Sequence, residues 1–263
     1  MSANPEKNPT GTGGSPPANT AAPSSARAEL DRFIFTVSHD LKSPLVTLQG
    51  FAALLERDLQ AGRTDRLVEF VQQIKGGVNQ MARLIDDLLV LSRIGRVTPR
   101  PEPVDLADLS QKILRLHHLE IDQCHTDVEV QDDIPVINVD KERMADVIER
   151  LISNAINYGC THANPRIGIG GMVTGGEARY FVRDNGPGIP AQYHGRIFEL
   201  FERLDSKTEG TGAGLAIIKR TLEVMGGRVW VESAPGQGAT FWLAFPAELV
   251  VGGAESSAAG AQR

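Results

Sequence analysis

Apolar residues recur early in the chain at steps that alternate between four and three: Leu30, Ile34, Val37, Leu41, Pro44, Leu48, Phe51 and Leu55. This is the heptad seam of a helix that packs on another helix. After a short break, "AGRTD", the alternation resumes at Leu67, Val71, Ile74, Val78, Met81, Ile85 and Leu88. Two such helices across a short turn predict an antiparallel hairpin. Both carry further apolar residues beside the seam: Phe33, Leu45, Ala52, Leu54, Leu84 and Leu89. A stripe that wide suits a four-helix bundle, and so a homodimer of hairpins.

The texture then changes. The prolines of "RVTPRPEPV", 96–104, stop the second helix and predict a semi-rigid linker. Beyond it the pattern predicts a helix near 106–118, strands near 127–131 and 135–139, and a helix near 141–158. Strands follow near 166–173 and 177–183, then a Gly-rich loop to about 211 and a helix near 212–225. Two antiparallel strands, "RVWVES" and "ATFWLAF", close the domain. The mixture predicts an α/β sandwich, one mixed sheet with helices on one face.

Residues 1–27 hold no Val, Ile, Leu, Phe, Tyr or Trp. Such a segment cannot bury enough apolar surface to offset its chain entropy, so disorder is expected there. The tail "GGAESSAAGAQR" reads the same way. The expected organisation is a tail at 1–27, a dimerising hairpin at 28–98, a linker at 99–104, the sandwich at 105–249 and a tail at 250–263.

Composition narrows the function. With 263 residues there is room for two cores. A net charge of −6 argues against nucleic-acid binding. No apolar run approaches the roughly 18 residues of a membrane span, and the first residues lack the apolar core of a signal peptide. A cytoplasmic protein is expected. Cys124 and Cys160 form no metal or redox spacing and are expected as unpaired thiols in a reducing compartment.

The stretch "SHDLKSPL", 38–45, carries the first chemistry. With Val37 and Leu41 on the seam, His39 falls at heptad position f, on the outer face. A neutral imidazole there is a competent nucleophile near pH 7. Ser43 lies one turn further on the same face. Pro44 removes the amide that would bond the Asp40 carbonyl, which weakens the helix just past the histidine.

Four segments of the second domain carry more. In "ERLISNAINYG", 149–159, Asn154 stands inside a helix, where its amide oxygen can ligate Mg²⁺ that already holds phosphate and water. "VRDNGPGIP", 182–190, ends an apolar strand in Asp184, a carboxylate that can accept from an exocyclic amine. Gly186 and Gly188 follow and allow close backbone approach. In "EGTGAGLAIIKR", 209–220, Gly210, Gly212 and Gly214 open a helix whose first amides can meet an anion. It is neither a Walker A loop nor a dinucleotide fingerprint. "PGQGATF", 235–241, makes a tight turn before the last strand.

In this order the segments resemble the histidine kinases of two-component signalling. "SHDLKSPL" is similar to their phosphoacceptor box, and "LIDDLLVLSRIGR" to their second bundle helix. "LISNAINY", "DNGPGIP", "IFELFERL", "GTGAGLAI" and the turn 235–237 are similar to their N, G1, F, G2 and G3 boxes. The resemblance spans about residues 28–248. It implies that His39 is phosphorylated, that Asp40 orients the imidazole and takes its proton, and that Ser43 supports dephosphorylation of the partner. Asn154 would bind Mg²⁺, Tyr158 would lie against adenine, and Asp184 would hold the adenine amine in a pocket shaped by Gly186 and Gly188. Thr211, Gly212, Gly214 and Leu215 would meet the phosphates of ATP. Residues 191–211, with Phe198 and Phe201, would form a mobile lid, and Arg203 would steady the γ-phosphate. The implied partners are a response-regulator receiver domain, a second copy of the chain, and a separate sensory protein unless the sequence is a fragment.

Two positions depart from the family pattern. Arg150 stands where Asn is usual, and Asn157 where Lys is common. Arg150 favours an alternative, a degenerate kinase that serves as dimeric scaffold or as response-regulator phosphatase. A third class, a plain ATPase of the same fold, often carries a Glu base at that position.

Overall fold

The computed structural model describes residues 22–202, 204 and 211–251. The rest of both expected tails, Arg203 and residues 205–210 of the expected lid lie outside the described residues.

Helix α1 runs from Ala22 to Gln60 and α2 from Leu67 to Arg93. The first helix begins inside the segment expected to be disordered. Pro23 is compatible with that start, because a first-turn amide has no partner in any helix. Pro44 sits buried within α1, and the helix continues through it. The connection is closed by the Asp58 carboxylate, which accepts from the Arg63 guanidinium at 2.7 Å.

The hairpin differs from its predicted seam at Ile34 of α1, which is exposed, and along α2. Phe70, Gly77 and Leu84, a heptad apart, are the buried apolar line of α2. The Phe51 and Phe70 rings lie 6.0 Å apart. A Cβ on Gly77 would stand 3.0 Å from the Leu48 side chain. Val71, Val78 and Ile85, expected on the seam, are exposed. The apolar stripe of α2 is two lines wide, and α1 covers only one of them.

The second domain begins earlier than its expected linker allows. Strand β1, Pro101–Val104, pairs antiparallel with β3, Ile137–Asp140. A two-stranded sheet leaves an edge where prolines are tolerated. Helix α3, Leu106–Leu116, is capped by Asp105, whose carboxylate accepts from the amides of Ala107 and Asp108. The expected single helix is interrupted at His117, after which α4 runs from His118 to Gln123. Helix α5, Lys141–Gly159, is capped in the same way by Asp140, which accepts from the Arg143 amide.

Among the described residues the main sheet has five strands, in the order β2, β4, β5, β7, β6. They are β2 Asp127–Val130, β4 Arg166–Thr174, β5 Glu177–Asp184, β6 Arg228–Ser233 and β7 Ala239–Pro246. Only β2 and β4 pair in parallel, so the sheet is mixed as expected. Helices α3, α5 and α6 (Gly214–Val224) pack through Ile113, Leu151 and Ile218 into one core with Ile167, Val182 and Leu243 of the sheet. Among the described residues no helix is long and apolar enough to cross a membrane.

The cysteine expectation is corrected. Cys124 and Cys160 form a disulfide, with their Cα atoms 5.5 Å apart. The fold brings the turn before β2 against the C-terminus of α5, a proximity that a separation of 36 residues does not announce. Replacing both by alanine is expected to lower stability by about 2–4 kcal/mol through the freed loop. Urea unfolding with and without a thiol reductant checks this. Reduction should move the parent chain to the midpoint of the variant and leave the variant unmoved.

Candidate functional site

His39 lies on the outer face of α1, as its heptad position requires, with its side chain 72% exposed. Nδ1 is 2.9 Å from Oδ1 of Asp40. A carboxylate only accepts, so Nδ1 is the donor in this contact, and a neutral ring in that tautomer has its lone pair on Nε2. Neighbours on a helix point about 100° apart, and here the two side chains bridge that angle. Ser43 is exposed one turn on, and its carbonyl accepts from the Thr47 hydroxyl at 3.3 Å.

A second cluster forms where α5 ends beside β5. Asn154 is half-buried on α5, and Tyr158 is exposed near its end. Asp184 ends β5 and is only 6% exposed. Its Oδ1 accepts from the amides of Gly186 at 2.9 Å and Ala239 at 3.3 Å. Burial pushes the Asp184 carboxyl above the ordinary aspartate range, and the two amides pull it part of the way back. Oδ2 is the oxygen left for a further donor. Gly186 sets its turn against the carbonyl of Tyr158, so the aspartate and the end of α5 share one corner.

The turn after β5 and the turn before β7 interlock. A Cβ on Gly188 would fall 2.0 Å from the Ala234 carbonyl oxygen, and one on Gly238 would fall 2.0 Å from that of Asp184. Both glycines have positive φ, +72° and +73°. The turn "PGQG", 235–238, thus matters through Gly238, which lets the chain pass close against the Asp184 backbone. Gly238→Ala is expected to cost about 2–4 kcal/mol from left-handed strain and overlap together. An unfolding midpoint equal to that of the parent would refute this. Asn185, between two site residues, is structural: it accepts from the Arg166 amide and donates to the Asn164 carbonyl.

The other end of the cluster is the start of α6. Gly214 is its first residue, and among the described residues no side chain caps it at Ala213. Its first amides are therefore open to an anion. The Thr211 hydroxyl accepts from the Ala213 amide at 3.2 Å. Gly212 has φ +75°, and its carbonyl accepts from the Phe201 amide at 3.0 Å. Leu215 packs half-buried against the core. The first part of the expected lid is anchored: Ile197 and Phe198 are buried, and Phe198 meets Phe241 edge-on at 6.5 Å.

One group at this end escaped the sequence reading. Asp87 of α2 reaches over from the hairpin and is buried. Its Oδ1 accepts from Nη1 of Arg150 at 3.0 Å, and its Oδ2 accepts from the Thr211 hydroxyl. The same Arg150 nitrogen lies 3.9 Å from where a Cβ on Gly214 would stand. The hairpin register, Phe51 on Phe70 and Leu48 beside Gly77, brings Asp87 within about a turn of the level of His39. Only the rotation of α2 marks it: Asp87 follows Leu84 on the buried line, where an acid requires a partner.

Residues 29–96 match the family described as His Kinase A (phospho-acceptor) domain. Residues 139–249 match the histidine kinase-, DNA gyrase B- and HSP90-like ATPases. The two cover more than half of the chain, in the order the site requires. The chain belongs to the histidine kinases.

Among curated relatives of this histidine kinase, the methanogenesis regulatory histidine kinase FilI of Methanothrix harundinacea is 38% identical over 83% of the chain and 25% of its own length. Cyanobacterial phytochrome B of a Nostoc species is 35% identical over 82% of the chain and 29% of its own length. The chain thus spans about a quarter to a third of these relatives. Among solved structures, full-length ShkA in complex with AMPPNP superposes with a TM-score of 0.56 at 27% identity, covering 82% of this chain and 45% of that one.

The donor set fits a metal only of a certain kind. Among the described residues no three His, Cys, Asp or Glu side chains cluster to hold an ion. Asn154 supplies one neutral oxygen, which suits a Mg²⁺ that brings phosphate oxygens and waters with it.

Proposed function

We propose that the chain is the catalytic core of an ATP-dependent protein-histidine kinase that phosphorylates His39 and passes the phosphoryl group to an aspartate of a response-regulator receiver domain. The observation that carries this reading is the exposed imidazole whose Nδ1 is engaged by Asp40. It is supported by the buried carboxylate of Asp184 and the uncapped start of α6 in a second domain docked on the same hairpin.

Asp184 takes the adenine amine through Oδ2, and Tyr158 lies beside the base. The amides at Gly212, Gly214 and Leu215 and the Thr211 hydroxyl meet the phosphates, with Arg203 assigned to the terminal one. Mg²⁺, held by Asn154, would supply neutralisation of phosphate charge. The lone pair on Nε2 of His39 attacks the terminal phosphorus in line, and the bond to the bridging oxygen of ADP breaks. The ring is left cationic, and Asp40 accepts the Nδ1 proton, which returns it to neutrality. Exposure of the product lets a receiver aspartate take the phosphoryl group, and Ser43 is placed to orient a water that hydrolyses the phosphorylated partner.

The uncovered apolar line of α2, with Val71, Val78 and Ile85, supports homodimerisation into a four-helix bundle. An ATP-consuming site works where ATP is, which places the domain in the cytoplasm, with its stimulus supplied by a separate sensory protein or by further chain. Incubation with γ-labelled ATP and Mg²⁺ tests the reading. Acid-labile label on the protein is expected; a chain that binds ATP and stays unlabelled would refute it.

A further inference from the structure

We infer that Asp87 is a built-in occupant of the phosphate end of the nucleotide site, holding Arg150 and Thr211 until the triphosphate of ATP takes Arg150 from it. This rests on the reading of the second domain as a nucleotide site. The carboxylate comes from the hairpin, its side chain is only 11% exposed, and it is bonded to two groups beside the open start of α6. It stands where the chemistry of the site calls for a phosphate: an anion between a guanidinium, a hydroxyl and uncapped amides. A guanidinium fork accepts a carboxylate or a phosphate with the same geometry. The Arg150 nitrogen that Asp87 holds cannot serve a phosphate oxygen at the same time, so binding ATP there requires Asp87 to yield it.

The exchange has a mechanical result. The Asp87–Arg150 and Asp87–Thr211 bonds tie the ATP-binding domain to α2. Transfer of Arg150 and of the Thr211 hydroxyl to phosphate oxygens cuts both bonds at the moment the nucleotide arrives. The domain is then free to bring the terminal phosphate to His39. Arg150 is accordingly a positioning residue that counts phosphate and hairpin as alternatives, and its departure from the family pattern has a use.

Calorimetric titration of the full chain with ATP and Mg²⁺, and separately with adenosine, tests this. Asp87→Asn should bind ATP about tenfold more tightly, the scale of one charged hydrogen bond, with adenosine affinity unchanged. Arg150→Gln should bind ATP more weakly, and Asp87→Asn on that background should add nothing. Asp87→Ser repeats the test if the Asn variant does not fold, with adenosine binding as the check on folding. Equal or weaker ATP binding by the Asp87 variants, an equal gain for adenosine, or a gain that survives Arg150→Gln would overturn the inference. A parent chain that binds adenosine and ATP in neither case would instead refute the nucleotide-site reading on which it rests.

Discussion

His39→Ala is expected to reduce phosphate incorporation from γ-labelled ATP to background while ATP binding and helix content stay as in the parent. The side chain is largely exposed, and its hydrogen-bonding contact is to the neighbouring Asp40. Exposed substitutions of this kind change stability by about 0.5 kcal/mol or less, and alanine is the better helix former. The loss of labelling is therefore a loss of the nucleophile and not of the fold. Measuring acid-labile label beside circular dichroism and ATP titration separates the two. Label retained in the variant would move the phosphoacceptor elsewhere and remove the central role assigned to this residue.

Asp184→Asn should weaken ATP binding roughly 10- to 150-fold, the range for a hydrogen bond to a charged group, without lowering stability at neutral pH. Burial raises the carboxyl pKa in the folded chain. The sign follows: the folded state favours the protonated form, so the stability this group contributes is fully present below the unfolded pKa and is lost as pH rises through the folded one. Ionising the buried carboxyl as pH rises is a burden that a neutral amide removes. Asn keeps an oxygen for the amides of Gly186 and Ala239. The melting temperature of the variant at pH 7 should therefore equal or exceed that of the parent, and the advantage should shrink toward pH 4. A clear drop in melting temperature with unchanged ATP affinity would make Asp184 a structural residue and nothing more.

Periodicity carried most of the architecture. The alternation of four and three located both long helices, and the alternation of apolar and polar residues located β4 through β7 within about a residue. It did not reveal how α2 is rotated, because Phe70, Val71, Gly77, Val78, Leu84 and Ile85 make two apolar lines that the pattern treats as equals. Only contact with α1 chooses between them. Strand β1 was hidden by its prolines, which read as linker until β3 supplies a partner. The disulfide was hidden because nothing local joins Cys124 to Cys160. The motifs pointed to His39, Asp184 and the glycines, since each carries its chemistry in adjacent residues. Asp87 was missed for the opposite reason: its partners lie 63 and 124 residues away, on the other domain.

The hydrogen bond between Asp40 and the near nitrogen of the imidazole also decides regiochemistry. With that nitrogen engaged, the proposed transfer would place phosphorus on the far one, giving the tele isomer of phosphohistidine. That linkage would point away from the outer face of the hairpin, so an acceptor would come at it from the side and need no entry between the helices.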